Sequence, residues 1–313
     1  MTTPTILFAA KPERWATYEP HLRRALSAAG VSDANLTLQA DPAEVDYIVY
    51  APNSAVQDFT PYTRLKAVLN LWAGVEDVTD NATLKVPLAR MVDEGLTEGM
   101  VEWCVGHALR HHLGMDAHIH GQDGVWRNGD VPPLARHRGV TVLGLGALGE
   151  AVATALAGLG FAVAGWSRSA KDIQGVRTFN GVDGLSRALS SAQIVILLLP
   201  DTPATENILN ADTLAQLPKG AMIINPGRGP LIDDDALLAA LDTGHIAHAT
   251  LDVFRTEPLP QDHPYWAHPN VTVTPHIASE TRPDTASQVI AENIRRGETG
   301  APFLHLVDRT LGY

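Results

Sequence analysis

The stretch Val140-Thr141-Val142-Leu143-Gly144-Leu145-Gly146-Ala147-Leu148-Gly149 decides how this chain is read. A short apolar strand runs straight into glycines spaced G-x-G-x-x-G, and an Ala-rich segment, 150–159, continues as a helix. Each glycine has a separate task in such a turn. Gly144 permits the sharp reversal, Gly146 lets backbone approach a pyrophosphate, and Gly149 lets helix pack closely on strand. The amides that open the helix, at Ala147 and Leu148, present a positive dipole to phosphate.

Downstream the same rhythm repeats. Apolar strands are expected at 161–165, 194–199, 221–225, 249–253 and 271–274, separated by helical or turn segments. Nearly continuous Val/Ile/Leu runs, without in/out alternation, mark a parallel sheet covered on both faces. Upstream, strands are expected at 5–9, 47–50 and 67–71, a helix at 19–29 stopped by Gly30, and a long helix from 97 to about 115. The fold class is therefore α/β, with two doubly wound α/β domains.

Composition limits what such a protein contacts. Its 313 residues carry 23 Lys+Arg against 35 Asp+Glu, a net charge of −12, which disfavours nucleic acid and anionic membranes as partners. The densest basic stretch, 136–138, is too short to compensate. The central apolar run 194–199 is far below the roughly 20 residues of a membrane helix, and residues 1–4 lack a positive leader segment, so a cytoplasmic location is expected. Cys104 is the single cysteine and reads as a buried small hydrophobe.

A site for NAD(H) would place a carboxylate about 20 residues beyond the glycines, at the end of the second strand. Here that strand ends Trp166-Ser167-Arg168-Ser169, with Lys171 close behind, and no acidic residue lies between Glu150 and Asp172. Hydroxyls and a planar guanidinium suit a 2′-phosphate, so NADP(H) is expected over NAD(H). Leu199, Pro200, Pro226, Gly227, Arg228, Asp252, His276 and Ala278, at later strand ends, are expected to border the dinucleotide.

Those strand ends also carry the groups able to handle charge. Arg228, Asp252 and His276 follow one another at intervals of 24 residues at one end of the sheet, with Glu257 after Asp252. Arg228 can clamp a carboxylate and polarise a neighbouring keto oxygen. His276 as imidazolium can donate a proton, and Glu257 on its other ring nitrogen would raise its pKa. The set suits reduction of a small 2-keto acid.

Taken together, Gly144 to Gly149, Asn225-Pro226-Gly227-Arg228-Gly229, Leu251-Asp252-Val253-Phe254 with Glu257-Pro258-Leu259, and Thr274-Pro275-His276-Ile277-Ala278 resemble the D-isomer-specific 2-hydroxyacid dehydrogenases. Gly165 to Ser169 and the ending from Val307 to Tyr313 resemble the glyoxylate/hydroxypyruvate reductase A group within that family. The resemblance implies Arg228, Glu257 and His276 as the catalytic set, acting on glyoxylate and hydroxypyruvate with NADPH. It implies that backbone amides of Trp72-Ala73-Gly74-Val75 hold the substrate carboxylate. It further implies a Rossmann dinucleotide-binding domain, 99–284, inserted into a flavodoxin-like substrate domain made of 1–98 and 285–313, with hinge helices near 97–115 and 282–296. A homodimer joined through the nucleotide-binding domain follows from the same resemblance, with the segment around Trp126 near the partner's active site. One departure stands out: relatives often carry Ala before Gly-Arg-Gly, or Thr-Ala/Ser before Arg-Gly, where this chain has Pro226-Gly227, and Pro226 removes a backbone donor.

Three other readings compete. His107, His111, His112, His118 and His120 include an i,i+4 pair, but no carboxylate or Cys pattern completes a metal site, so no metal is expected. A dinucleotide-sensing binding protein of the same fold would carry a tail or peptide groove that this sequence lacks. Formate or phosphite oxidation would call for a different partner of the histidine than Glu257.

Overall fold

The computed structural model describes residues 3–129 and 131–312. Met1 and Thr2, Asp130 in the loop 121–133, and Tyr313 of the C-terminal resemblance lie outside the described residues. The chain divides into two compact units, one running to Leu96 and resuming at Glu280, the other spanning Thr97–Ser279. The expected boundaries at 98 and 284 each fall a few residues later than this division.

The first unit contains β1 (Thr5–Ala9), α1 (Trp15–Ala28), β2 (Asn35–Thr37), β3 (Tyr47–Tyr50), β4 (Ala67–Asn70), α2 (Glu76–Thr79) and β5 (Leu88–Ala89). Its sheet has the order β2-β1-β3-β4-β5 and all its pairings are parallel, which is the flavodoxin-like order. α3 (Glu94–His112) and α4 (Met115–His120) follow, separated by Gly114 in the left-handed region at φ 61°. That glycine splits the single helix expected over 97–115.

The second unit continues with β6 (Gly139–Leu143), α5 (Ala147–Gly158), β7 (Ala162–Ser167), β8 (Arg177–Asn180), α6 (Gly181–Leu189), β9 (Ile194–Leu197), α7 (Ala211–Leu214), β10 (Ala221–Asn225), α8 (Asp234–Asp242), β11 (Ile246–Leu251) and β12 (Val271–Val273). The order β12-β11-β10-β9-β6-β7-β8 is the Rossmann arrangement, with the strand order reversing at β6. α9 (Pro283–Thr299) returns to the first unit and packs on α1.

The apolar runs have a direct physical reading. In β9 all four side chains are fully buried, Val195 and Leu197 entering one core cluster and Ile194 and Ile196 another on the opposite face. β1 divides in the same way, Ile6 and Phe8 from Leu7 and Ala9. Burial of each such side chain contributes about 1.5–3 kcal/mol. Helix α1 starts at Trp15, earlier than the expected 19, because the rings of Trp15 and Tyr18 pack on Phe8 at 5.4 and 5.5 Å; Pro20 is accommodated inside it. Strand β11 begins at Ile246, three residues before the expected 249, paired along β10. No helix among the described residues is long and apolar enough to cross a membrane.

Candidate active site

The glycine turn separates internal need from external opportunity. A Cβ on Gly144, at φ 101°, would collide with the backbone at Leu198, and one on Gly149 would overlap the Gly144 carbonyl, so both positions are fixed by packing. A Cβ on Gly146 would meet nothing within 4 Å. Gly146 also caps α5 without any side-chain hydrogen bond to the helix amides. Open space before an uncapped helix start fits a pyrophosphate, the one ligand that the chemistry of this turn favours.

At the end of β7, Arg168, Ser169 and Lys171 are exposed, as a 2′-phosphate site needs. Two neighbours are less available. The Trp166 indole donates to the Gly181 carbonyl at 2.8 Å and packs on the core, and the Ser167 hydroxyl donates to the Ser169 carbonyl at 2.7 Å. Their side chains shape the loop, leaving backbone as their means of touching a ligand. Leu199 is buried in the core, and the Pro200 carbonyl accepts from Thr205 Oγ1 at 2.7 Å.

Beyond β10, Asn225 builds the turn that carries Arg228. Its Oδ1 accepts from Gly227 N–H at 3.1 Å, and its Nδ2 donates to the Arg228 carbonyl at 2.9 Å. Pro226 sits between these bonds, so its missing N–H takes nothing from the turn. Arg228 Nη1 donates to the Gly227 carbonyl at 2.6 Å.

Asp252, fully buried just past β11, organises the next loop. Its Oδ1 accepts from Thr274 Oγ1 at 2.6 Å and Ile277 N–H at 2.9 Å, and its Oδ2 from Ala278 N–H at 2.8 Å. The backbone N–H of His276 bonds the Asp252 and Thr274 carbonyls. These bonds hold His276 at φ 54°, a conformation uncommon for a side chain with a Cβ. With no exposed surface and its carboxylate bonded to Thr274, Ile277 and Ala278, Asp252 shapes the loop and does not itself face the open space where a dinucleotide would lie.

The product of this loop is a hydrogen-bonded pair: His276 Nδ1 donates to Glu257 Oε2 at 2.7 Å, and Glu257 Oε1 accepts from Phe254 N–H at 2.9 Å. The hydrogen bond to Glu257 raises the pKa of His276 above its ordinary value, against partial burial and the charge of Arg228. Burial pushes Glu257 upward, but its hydrogen bonds from His276 and the Phe254 amide, with the charges of His276 and Arg228, hold it below the ordinary carboxylate value. Arg228 lies close enough for its charge to act on His276, and Nδ1 is the ring nitrogen that Glu257 engages.

In the first unit, the loop Trp72-Ala73-Gly74-Val75 follows β4 as expected. Asn70 Nδ2 holds the Trp72 and Gly74 carbonyls at 3.0 and 2.9 Å. The five histidines 107, 111, 112, 118 and 120 do not converge. His107 stacks on Trp103, His111 Nε2 bonds Thr250 Oγ1 at 2.9 Å, and His112 packs on Phe161. No group of three or more His, Cys, Asp or Glu suited to a metal occurs among the described residues. Cys104 is buried, which pushes its thiol pKa up. Sequence reasoning did not single out Asn70 or Arg255, nor the loop-building bonds of Asn225 and Asp252; Asp252 and Arg255 take their roles from partners distant in the chain, and Asn70 and Asn225 from the local turn geometry that folds the chain back on them.

A Rossmann sheet with a glycine turn at its strand reversal, and an arginine with a histidine–glutamate pair at its strand ends, defines a dinucleotide-dependent oxidoreductase. Comparison with known proteins narrows the class. Residues 104–278 match the NAD binding domain of the D-isomer specific 2-hydroxyacid dehydrogenases. A glyoxylate/hydroxypyruvate reductase A of Serratia proteamaculans is 43% identical over 262 residues, covering 80% of this chain and 82% of the relative. A D-isomer specific 2-hydroxyacid dehydrogenase of Xanthobacter autotrophicus, solved with NADPH and MES, is 38% identical, covers both chains fully and superposes with a TM-score of 0.93. An NADPH-dependent glyoxylate/hydroxypyruvate reductase of Sinorhizobium meliloti, solved with NADP and sulfate, is 34% identical with a TM-score of 0.87, again over both whole chains. The chain belongs to the D-isomer specific 2-hydroxyacid dehydrogenase family.

Proposed function

We propose that this protein reduces small 2-keto acids with NADPH, glyoxylate to glycolate and hydroxypyruvate to D-glycerate. The observation that carries the reading is the 2.7 Å His276–Glu257 pair, placed with Arg228 at the carboxyl ends of β10 to β12. Bound NADPH supplies a hydride to the keto carbon. Arg228 binds the substrate carboxylate and polarises the keto oxygen, and His276 Nε2 gives that oxygen its proton. Glu257, on Nδ1, stabilises the imidazolium that makes the transfer possible near neutral pH. Gly146 with the Ala147 and Leu148 amides would hold the pyrophosphate, and Arg168, Ser169 and Lys171 the 2′-phosphate. The amides of the loop 72–75 are assigned to the substrate carboxylate.

The named relatives support both the substrate class and the cofactor. A homodimer joined through the nucleotide-binding unit and a cytoplasmic location complete the reading. Exposed Ile119, Val125, Val131 and Leu134, with Trp126 90% exposed, support such an interface. Sedimentation equilibrium at twice the chain mass is expected.

The decisive experiment follows NADPH oxidation with glyoxylate, hydroxypyruvate, pyruvate and phenylpyruvate in parallel, then repeats the best substrate with NADH. Turnover of the two small acids and a higher kcat/KM with NADPH are expected. Absence of turnover with every keto acid would favour the dinucleotide-sensing alternative, and a clear preference for NADH would remove the assignment of Arg168.

A further inference from the structure

The turn that carries Glu257 needs an anchor. Phe254 and Leu259 on either side of it pack on the core, but residues 255–258 are exposed and the turn's own bond, from Phe254 N–H to Glu257 Oε1, does not fix where the carboxylate end points. Arg255, in the middle of this turn, reaches away from it. Its Nη2 donates to the Ile232 carbonyl at 2.7 Å and to Asn207 Oδ1, with the Pro230 carbonyl further off at 3.3 Å. It also lies 3.5 Å from Asp234 and 3.7 Å from Glu206.

These acceptors belong to two segments that are themselves joined. Asn207 N–H donates to the Pro230 carbonyl at 2.8 Å and Leu209 N–H to the Leu231 carbonyl at 3.1 Å. Segment 229–234 directly follows Arg228. The approach is close enough that a Cβ on Gly229 would collide with the Phe254–Arg255 peptide. The segment bearing Arg228 and the turn bearing Glu257 thus meet backbone to backbone, with the guanidinium strapped across them.

We propose that Arg255 is a positioning residue for the reduction. Its planar fork fixes the turn 254–257 to the segment 228–234, and so sets where the Glu257 carboxylate meets His276. This inference rests on the catalytic reading given above. A point charge would not do the same work, because Nη2 meets Ile232 and Asn207 while Nε faces Asp234 and Nη1 faces Glu206, three positions that a single ammonium cannot fill. Arg255 is one-third exposed, and ion pairs of that kind add little to global stability. Its removal should therefore appear in catalysis more than in unfolding.

The test compares Arg255→Ala, Arg255→Lys and Asn207→Gly with Glu257→Gln. Asn207 has φ 50°, which glycine adopts without strain, so Asn207→Gly deletes one acceptor and leaves the loop's conformation accessible. For Arg255→Ala, kcat should fall roughly tenfold to a hundredfold, the scale for a catalytic group displaced by about 1 Å. The alkaline limb of the kcat profile should move to lower pH, with KM for NADPH and the urea midpoint unchanged. Arg255→Lys should recover only part of the rate, and Asn207→Gly should shift the profile in the same direction by a smaller amount. An unmoved pH profile in both Arg255→Ala and Asn207→Gly overturns the proposal, and Asn207→Gly decides alone if Arg255→Ala does not fold. Should Glu257→Gln also leave the profile unmoved, the catalytic reading itself fails. A profile moved by Glu257→Gln but not by the other variants rejects the role of Arg255 only.

Discussion

Replacing Asp252 by Asn tests whether one buried carboxylate holds His276, the proposed proton donor, in place. The side chain is fully buried and accepts three hydrogen bonds, two on Oδ1 and one on Oδ2. An amide has one acceptor oxygen. Its better orientation keeps the bonds from Thr274 and Ile277 and turns an NH2 group toward the Ala278 N–H, donor against donor. A lost hydrogen bond to a carboxylate costs about 1.5–3 kcal/mol, and a buried donor left without an acceptor about 1–3 kcal/mol. The two costs overlap, so a loss of about 3–4 kcal/mol is expected, a large part of a typical 5–15 kcal/mol. The loop 274–278 also holds His276 at φ 54°, a conformation that costs about 1–3 kcal/mol and persists only when its surroundings enforce it. The urea midpoint of the nucleotide-binding unit, followed by circular dichroism, should therefore drop, and kcat should drop with it as His276 loses its fixed direction. Thr274→Val, which removes one donor to the carboxylate and leaves no buried donor unpaired, should cost about 1.5–3 kcal/mol, less than Asp252→Asn. Loss of less than about 1 kcal/mol by Asp252→Asn, with kcat retained, would refute the reasoning.

His276→Ala and Arg228→Ala should each lower kcat/KM for keto-acid reduction at least about a hundredfold in steady-state assays, the usual scale for a proton donor or a charge stabiliser. Glu257→Gln removes the partner that raises the His276 pKa, so the alkaline limb for reduction should move to lower pH, and so should the acidic limb for 2-hydroxy acid oxidation. Near the α3–β11 contact, burial first, then neighbouring cations, lower His111 to about 3 and His248 to about 4. His107, Arg110, Asp116, His268 and Thr272 surround them, and Asp116 opposes the shift. A histidine buried neutral gives stability that is complete above its unfolded value of 6.5 and is lost as pH falls toward the folded value. Unfolding free energy should therefore decline from about pH 6.5 downward, and His248→Gln should flatten that decline; a level curve down to pH 4 would contradict it.

Much of the architecture was legible because it is written in local terms. Buried runs such as Ile194-Val195-Ile196-Leu197 reflect a sheet covered on two faces, and the glycine turn states its own geometry. The candidate set could be proposed because ligands in such sheets lie at the carboxyl ends of strands, and Arg228, Glu257 and His276 are the residues near those ends whose chemistry suits a keto acid. β2 (Asn35–Thr37) and β8 (Arg177–Asn180) were missed because these edge strands are partly polar and lack a continuous apolar run, and β5 because two residues carry no readable period. Gly114 divided a helix that periodicity ran together.

The sequence by itself determined the fold class, the glycine cradle and which residue types stand at the strand ends, because those depend on neighbours in the chain. Only the tertiary structure decided that Glu257 reaches His276 Nδ1, that Asp252 clasps the loop through Ala278, that Trp166 bonds Gly181, and that Arg255 ties its turn to Ile232. Each joins groups whose separation in the chain says nothing of their distance in space. That distance is set by packing helices on both faces of a sheet, not by local preference.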